Sequence, residues 1–283
     1  MMHRPHKKNA DARSRKKGPI AKKHLGQHFL TSVSALYEMV RAAEVTKQDT
    51  VVEIGPGTGV LTRKLLDTGA HVIAIEKDAD LIPLLTTLFT QEISEKRFEL
   101  IHGDIRTFSA ESQAHGAPYK VVANIPYYIT GEIIRDAFEA KHQPLSITLL
   151  VQKEVAERIA RSKKESILSL SVKVYGEPRY IKTVPRGAFS PPPNVDSAII
   201  HISSISRQRF DSVDEQHFFS IVKCAFKARR KMLAGNLRSL FTDEAIQASL
   251  DIVRISRTAR AEDVPLTQWV QLVKALTTTT NSR

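Results

Sequence analysis

Apolar and polar positions follow one another along this chain in two successive textures. Residues 32–45, SVSALYEMVRAAEV, carry apolar side chains at helical spacing behind a serine start, which predicts a helix. Five short apolar runs follow: TVVEI (50–54), HVIAIE (71–76), FELIH (98–102), YKVVAN (119–124) and LSITLLVQ (145–152). Helix-like stretches at 60–68, 78–90 and 131–140 lie between most of them. This alternation predicts right-handed βαβ units, an α/β class of fold with a buried parallel sheet and helices on both faces. RYIKTVP (179–185) and NVDSAIIHI (194–202) predict two more strands around a proline-rich turn. Past SSISRQRFDSVDEQ (203–216) the texture changes. Segments 217–227, 230–240, 243–250 and 266–276 are helix-like and no strand pattern remains. A boundary near residue 205 therefore divides an α/β domain (22–205) from a small all-helical domain (206–283).

Charge adds a third part. The 283 residues carry a formal net charge of +12, and residues 1–23 hold nine Lys or Arg against one Asp, +8 of that total. This stretch has no apolar period and predicts a flexible basic arm, residues 1–21. It also lacks the apolar centre of a secretory signal. So basic a chain suits a polyanionic partner, nucleic acid or an anionic surface. No run of 18 apolar residues occurs, so no membrane span is expected. Cys224 is the single cysteine. It excludes an internal disulfide and a cysteine zinc site, no metal is expected, and a reducing cytoplasm fits.

The loop VVEIGPGTGVLT (51–62) sets glycines at 55, 57 and 59 between a strand and a helix. Glycine there permits a tight turn and close approach of a ligand. The spacing is neither G-x-G-x-x-G nor a phosphate-binding P-loop, so a plain glycine-rich turn stays open. Carboxylates strengthen the ligand reading. Glu76 ends the second strand, where an acid can accept from both hydroxyls of a ribose. Asp104 follows the third strand and can accept from an adenine amine, and Glu53 lies beside the loop. Several carboxylates suit a cofactor bearing positive charge, such as the sulfonium of S-adenosyl-L-methionine.

Asn124-Ile125-Pro126-Tyr127 ends the fourth strand on the same sheet edge. An exocyclic aromatic amine is a poor nucleophile because its lone pair is delocalised into the ring. If the Asn124 oxygen and the Ile125 carbonyl each accept one N–H, the nitrogen is drawn toward a tetrahedral shape. Pro126 has no N–H and a fixed φ, which keeps that carbonyl turned outward. Tyr127 offers a face for the base to stack on. Such a site works by positioning and electrostatics.

This tetrapeptide resembles the (N/D)-x-P-Y motif of S-adenosylmethionine-dependent amino-methyltransferases. The whole set, from about residue 22, resembles ribosomal RNA adenine dimethyltransferases of the KsgA type, which implies a Rossmann-like methyltransferase domain followed by a helical one. Within that resemblance, KKHLGQHFL (22–30) looks like the family's opening motif, in which His28 and Leu30 touch the cofactor. The family often has Asn where this chain has His28. Glu53, Gly55 and Gly57 match its first cofactor loop, Glu76 the ribose acid and Asp104 the adenine contact. FSPPPNVDSAI (189–199) looks like its second base-gripping loop, with Phe189 closing over the target opposite Tyr127.

FKARRKMLAGNLR (226–238) predicts a helix with Phe226, Met232, Leu233 and Leu237 buried and Lys227, Arg229, Arg230 and Lys231 among the cations on its outer face. Those cations would grip RNA phosphates. The resemblance implies transfer of four methyl groups to two adjacent adenines near the 3′ end of small-subunit rRNA, with the immature subunit as partner and a monomeric enzyme. Large-subunit rRNA as substrate, a ribosome-assembly factor with secondary catalysis, a dehydrogenase, and methylation of DNA adenine or protein glutamine are the alternatives.

Overall fold

Each of the five apolar runs becomes a strand of one sheet in the computed structural model, which describes residues 21–22, 25–108 and 110–281. The basic arm lies outside the described residues except for its last, Ala21. In chain order the strands are β1 (Phe29–Leu30), β2 (Thr50–Ile54), β3 (His71–Glu76), β4 (Phe98–His102), β5 (Tyr119–Asn124), β6 (Ser146–Gln152), β7 (Glu177–Val184), β8 (Phe189–Ser190) and β9 (Ser197–Ser203). Seven of them form a sheet in the order β4-β3-β2-β5-β6-β9-β7. The β2 to β6 pairs run parallel. By contrast, β9 runs antiparallel to both β6 and β7 and is inserted between them.

Position in the sheet explains the residue patterns. Central β6 is buried at six of its seven positions, as a strand covered on both faces must be. Edge strand β7 alternates and slips register between Tyr180 and Lys182, a break that blunts an open edge. From β2 the sheet grows one way through β3 and the other way through β5. The connections leaving β2 and β5 therefore run to helices on opposite faces of the sheet and leave a crevice between them, the place where doubly wound sheets bind ligands.

Helices fill the two faces. On one side α1 (Val33–Ala42), α2 (Val60–Leu66) and α3 (Ile82–Leu88) bury Leu36, Met39, Leu65 and Leu85 against the sheet. The helix predicted over 78–90 is interrupted: a 3₁₀ turn spans Ala79–Leu81, and Phe89 separates α3 from α4 (Thr90–Ser94). After α5 (Ala110–Gln113), the opposite face is covered by α6 (Thr130–Glu139), α7 (Lys153–Ala160) and α8 (Ile167–Tyr175). The apolar pattern of 153–178 did not single out these last two. Ser166 starts α8 through a reciprocal capping box with Ser169.

The later helices are α9 (Glu215–Ala225), α10 (Leu233–Leu237), α11 (Asp243–Val253) and α12 (Leu266–Asn281). Their apolar faces, with Phe218 and Trp269 fully buried, join the cluster that covers this second sheet face. Phe138 of α6 stacks on Tyr175 at 4.7 Å, and Tyr175 stacks in turn on Phe219 of α9. At the junction the Arg207 guanidinium donates to the carbonyls of Phe138, Glu139 and Ala140 and to Glu215. It thereby satisfies carbonyls freed at the end of α6.

Candidate active site

The carboxyl ends of β2, β3 and β5 open into one cleft. Its floor is the glycine turn between β2 and α2. Gly55, Gly57 and Gly59 have φ of +67°, +59° and +79°, a region that L side chains adopt at a cost. Beyond this, the three differ. A Cβ on Gly59 would stand 2.7 Å from the Phe89 ring, so this glycine serves packing. A Cβ on Gly55 would meet nothing within 4 Å, so this glycine keeps open space where a ligand can approach the backbone.

Glu76 is fixed above this turn. Its Oε2 accepts from the Gly57 N–H at 3.0 Å and its Oε1 from the Asp78 N–H at 2.8 Å. A carboxylate has about four lone-pair positions, so about two remain for hydroxyls of a ligand. Burial pushes its pKa up, against those two donated hydrogen bonds. Glu53 is a sharper case, being 1% exposed with no hydrogen bond to either oxygen. Thr62 approaches it without normal hydrogen-bond geometry. Burial, reinforced by the nearby Glu76 charge, pushes the Glu53 pKa up to about 8. A buried acceptor without a donor is costly and marks a place where a ligand gains by supplying one.

Asp104 sits in the same cleft but is already engaged. Its carboxylate takes the Arg106 guanidinium at 2.6 Å and the Lys77 ammonium at 2.9 Å. It also accepts from the Arg106 N–H at 3.1 Å, capping the 3₁₀ turn Ile105–Thr107. Arg106 first, with Lys77 beside it, holds its pKa far below the usual carboxylate range. An adenine amine reaching Asp104 must share it with two cations, which the spacing of the sequence did not reveal.

The Asn124–Tyr127 tetrapeptide stands at the lip. Asn124 donates from Nδ2 to the His28 carbonyl at 3.3 Å. A carbonyl only accepts, so the amide nitrogen faces His28 and the oxygen is left for the cleft. Ile125 is buried, and the Pro126 carbonyl accepts from Ile129 in the turn Tyr127–Ile129. The Tyr127 hydroxyl is 2.6 Å from the Ser197 hydroxyl on β9, which anchors the ring from its far end. Burial raises its pKa, so the phenol stays protonated. The lining also includes His28 and Leu30 from the segment before α1. Lys22 and Gln27 of that segment bond Asp78 at 2.5 and 2.8 Å, and the pairing of β1 with β8 fastens its other end. Asp78, Lys22, Gln27 and Ser197 were missed as contributors. Asp78 alone left a local signal, an aspartate capping the turn two residues past Glu76.

The chain as a whole matches known proteins. The family model described as ribosomal RNA adenine dimethylase matches residues 19–278. The chain belongs to the ribosomal RNA adenine dimethylase family. It is 41% identical over 256 residues to the ribosomal RNA small subunit methyltransferase A of Dehalococcoides mccartyi, covering 89% of this chain and 87% of that one. Among solved structures, the 23S rRNA methyltransferase ErmE superposes with a TM-score of 0.70 at 25% identity, over 88% of this chain and 99% of that one. A dimethyladenosine transferase from Plasmodium falciparum gives 0.73 at 23% identity, over 87% and 96%, and shares the fold.

This adenine dimethylase is thus a methyltransferase enzyme, and two of its predicted site features lie elsewhere than the sequence placed them. Phe189 does not line the cleft. It is buried at 4% exposure on β8, opposite Leu30, inside the apolar cluster beneath α1. The ring lying parallel to Tyr127 is His28, with centroids 6.3 Å apart and planes 19° apart. The basic helix expected over 226–238 is also corrected. Residues 226–232 form a turn between α9 and α10, because the Asn236 amide binds the carbonyls of Ala225 and Ala228 and ends the helix there. Met232 is half exposed rather than buried, while Leu233 and Leu237 are buried as predicted. Lys227, Arg229, Arg230 and Lys231 are all exposed on that turn, with no ion pair among the described residues.

Proposed function

We propose that the cleft binds S-adenosyl-L-methionine and that this enzyme methylates the exocyclic amines of two adjacent adenines near the 3′ end of small-subunit (16S) rRNA. The product is dimethyladenosine, formed during small-subunit maturation. One observation carries the site reading: the His28 carbonyl orients Asn124 so that a free amide oxygen faces the cleft holding Gly55 and Glu76.

The residues present fit the cofactor. Glu76 retains acceptor positions for the two ribose hydroxyls, Gly55 leaves room beside the backbone, and the unpaired Glu53 carboxyl suits a ligand that brings a donor or a positive charge. His28, Leu30, Gly57 and Asp104 complete its surroundings. When bound, the cofactor supplies an electrophilic methyl group. The protein's part is to present the amine. Asn124 Oδ1 accepts one N–H and the Ile125 carbonyl the other, which releases the nitrogen lone pair from the ring. Tyr127, held by Ser197, carries the base on its face. No base of unusual strength is needed, since acceptors positioned for the charge that develops do the work.

The target adenine must leave its stack to reach this depth, so the substrate is single-stranded or loop RNA. The four free cations on the 227–231 turn suit its phosphates. The helical part after residue 205 is then the portion that holds RNA, and the α/β part before it the portion that methylates. We take the immature small subunit as partner, a monomer as the acting form and the cytoplasm as its location.

The test is transfer of labelled methyl groups to small subunits that lack the modification, beside mature subunits, large-subunit RNA and naked DNA. Two methyls on each of two adjacent small-subunit adenines is the expected result. Label on large-subunit RNA would instead assign the substrate of the ErmE-like branch, and absence of label from every substrate would refute the reading.

A further inference from the structure

We propose that His28 is a positioning residue that couples the methyl-donor side of the cleft to the proline loop beside the target base. The inference rests on the assignment of the cleft made above. Segment 28–31 touches three parts of the site at once. On the donor side, the Phe29 ring packs where a Cβ on Gly57 would come within 3.2 Å of it. On the catalytic side, the His28 carbonyl holds the Asn124 amide. On the base side, the His28 ring Nδ1 lies 2.8 Å from the Pro191 carbonyl. Thr31 adds two hydrogen bonds to the Ala188 carbonyl, from its N–H at 2.8 Å and its hydroxyl at 2.9 Å.

The chemistry of the ring contact is one-directional. The Pro191 carbonyl can only accept, so Nδ1 carries the hydrogen and the ring is held by donation. The same ring lies parallel to the Tyr127 platform. Its contact spans 163 residues of sequence and ties the opening segment to the proline loop. A ligand that steadies Phe29 and the glycine turn therefore steadies His28, and through it the proline loop. Coupling of this kind is reciprocal: RNA in the base site must tighten donor binding by the same factor that donor tightens RNA.

Two substitutions separate the donor from the ring. His28→Phe keeps a flat ring and cannot donate, whereas His28→Asn keeps an N–H donor and loses the ring. Both leave the backbone carbonyl that orients Asn124 in place. The measurement is RNA affinity with and without S-adenosylhomocysteine, with calorimetric binding of S-adenosylhomocysteine alone and steady-state kinetics beside it. In the parent, S-adenosylhomocysteine is expected to tighten RNA binding about fivefold, the range of one hydrogen bond. His28→Phe loses that factor and raises the RNA KM similarly; both RNA affinities are read at zero and at saturating S-adenosylhomocysteine, so any change in donor affinity at this cleft-lining position drops out of the ratio. His28→Asn recovers the coupling. A His28→Phe protein that still couples like the parent overturns the proposal, and so does a His28→Asn protein that fails like Phe. A parent that binds no S-adenosylhomocysteine overturns the assignment of the cleft and the coupling with it.

Discussion

At Asn124 the two ends of one amide are not equivalent, and a backbone carbonyl 96 residues away decides which faces the cleft. Removing the side chain takes away an acceptor without touching the donor cradle. Asn124→Ala should therefore bind S-adenosylhomocysteine like the parent while single-turnover methyl transfer falls about 10²–10³-fold, the usual cost of one positioned polar group. Turnover at the parent rate would discard the two-acceptor mechanism. Glu53 makes a prediction of a different kind. In the folded chain it holds its proton up to about pH 8, against an ordinary value of 4.5. Its contribution to stability is complete below pH 4.5 and is lost as pH rises through 8. Glu53→Gln keeps the shape and does not titrate. The melting temperature of the variant minus that of the parent should rise steadily from pH 4.5 to 8. A flat difference would mean that Glu53 is ionised or paired in the fold.

At the scale of elements, the turn from β2 to α2 shows that three glycines in one motif do different work. Gly59→Ala meets both a left-handed backbone and the Phe89 ring. It should lose about 2–4 kcal/mol, the sum of a strained φ and an overpacked contact. Gly55→Ala carries the φ penalty alone, so its melting temperature should lie between the parent and Gly59→Ala. Its Cβ projects into the cleft, and the KM for the methyl donor should rise more than for Gly59→Ala. Calorimetric melting and donor titration on both variants check this; equal donor KM values would remove Gly55 from the cradle.

At the scale of the whole molecule, one apolar cluster runs from the sheet face into the last four helices, and Arg207 bolts the junction. The cations of the 227–231 turn are thereby held at a fixed place relative to the cleft rather than on a loose tail. Replacing Lys227, Arg229, Arg230 and Lys231 by alanine should weaken RNA binding without changing donor affinity. The slope of log affinity against log salt should fall by about three, since each phosphate left without its cation removes about 0.7–0.9. An unchanged slope would place the RNA elsewhere on the surface.

Local regularities of the chain determined a great deal here. Strands 50–54, 71–76 and 119–124 end where their apolar runs end, because a strand buried on both faces needs a continuous apolar stretch and little else, and the half-buried edge strand 98–102 keeps the bounds of its run as well. The glycine turn, Glu76 and Asn124 were legible for the same reason: a doubly wound sheet delivers residues after its strands to one edge. What the chain could not show by itself were contacts whose partners are far apart in sequence. Phe189 sits in the core because β8 pairs with β1, Asp104 is occupied by Lys77 and Arg106, and His28 reaches a carbonyl 163 residues away. The basic helix became a turn because Asn236 folds back on the carbonyls of 225 and 228. Periodicity records which face of an element is apolar. Only the packed structure decides which side chains meet across elements, since that depends on strand order, direction and the space left between them.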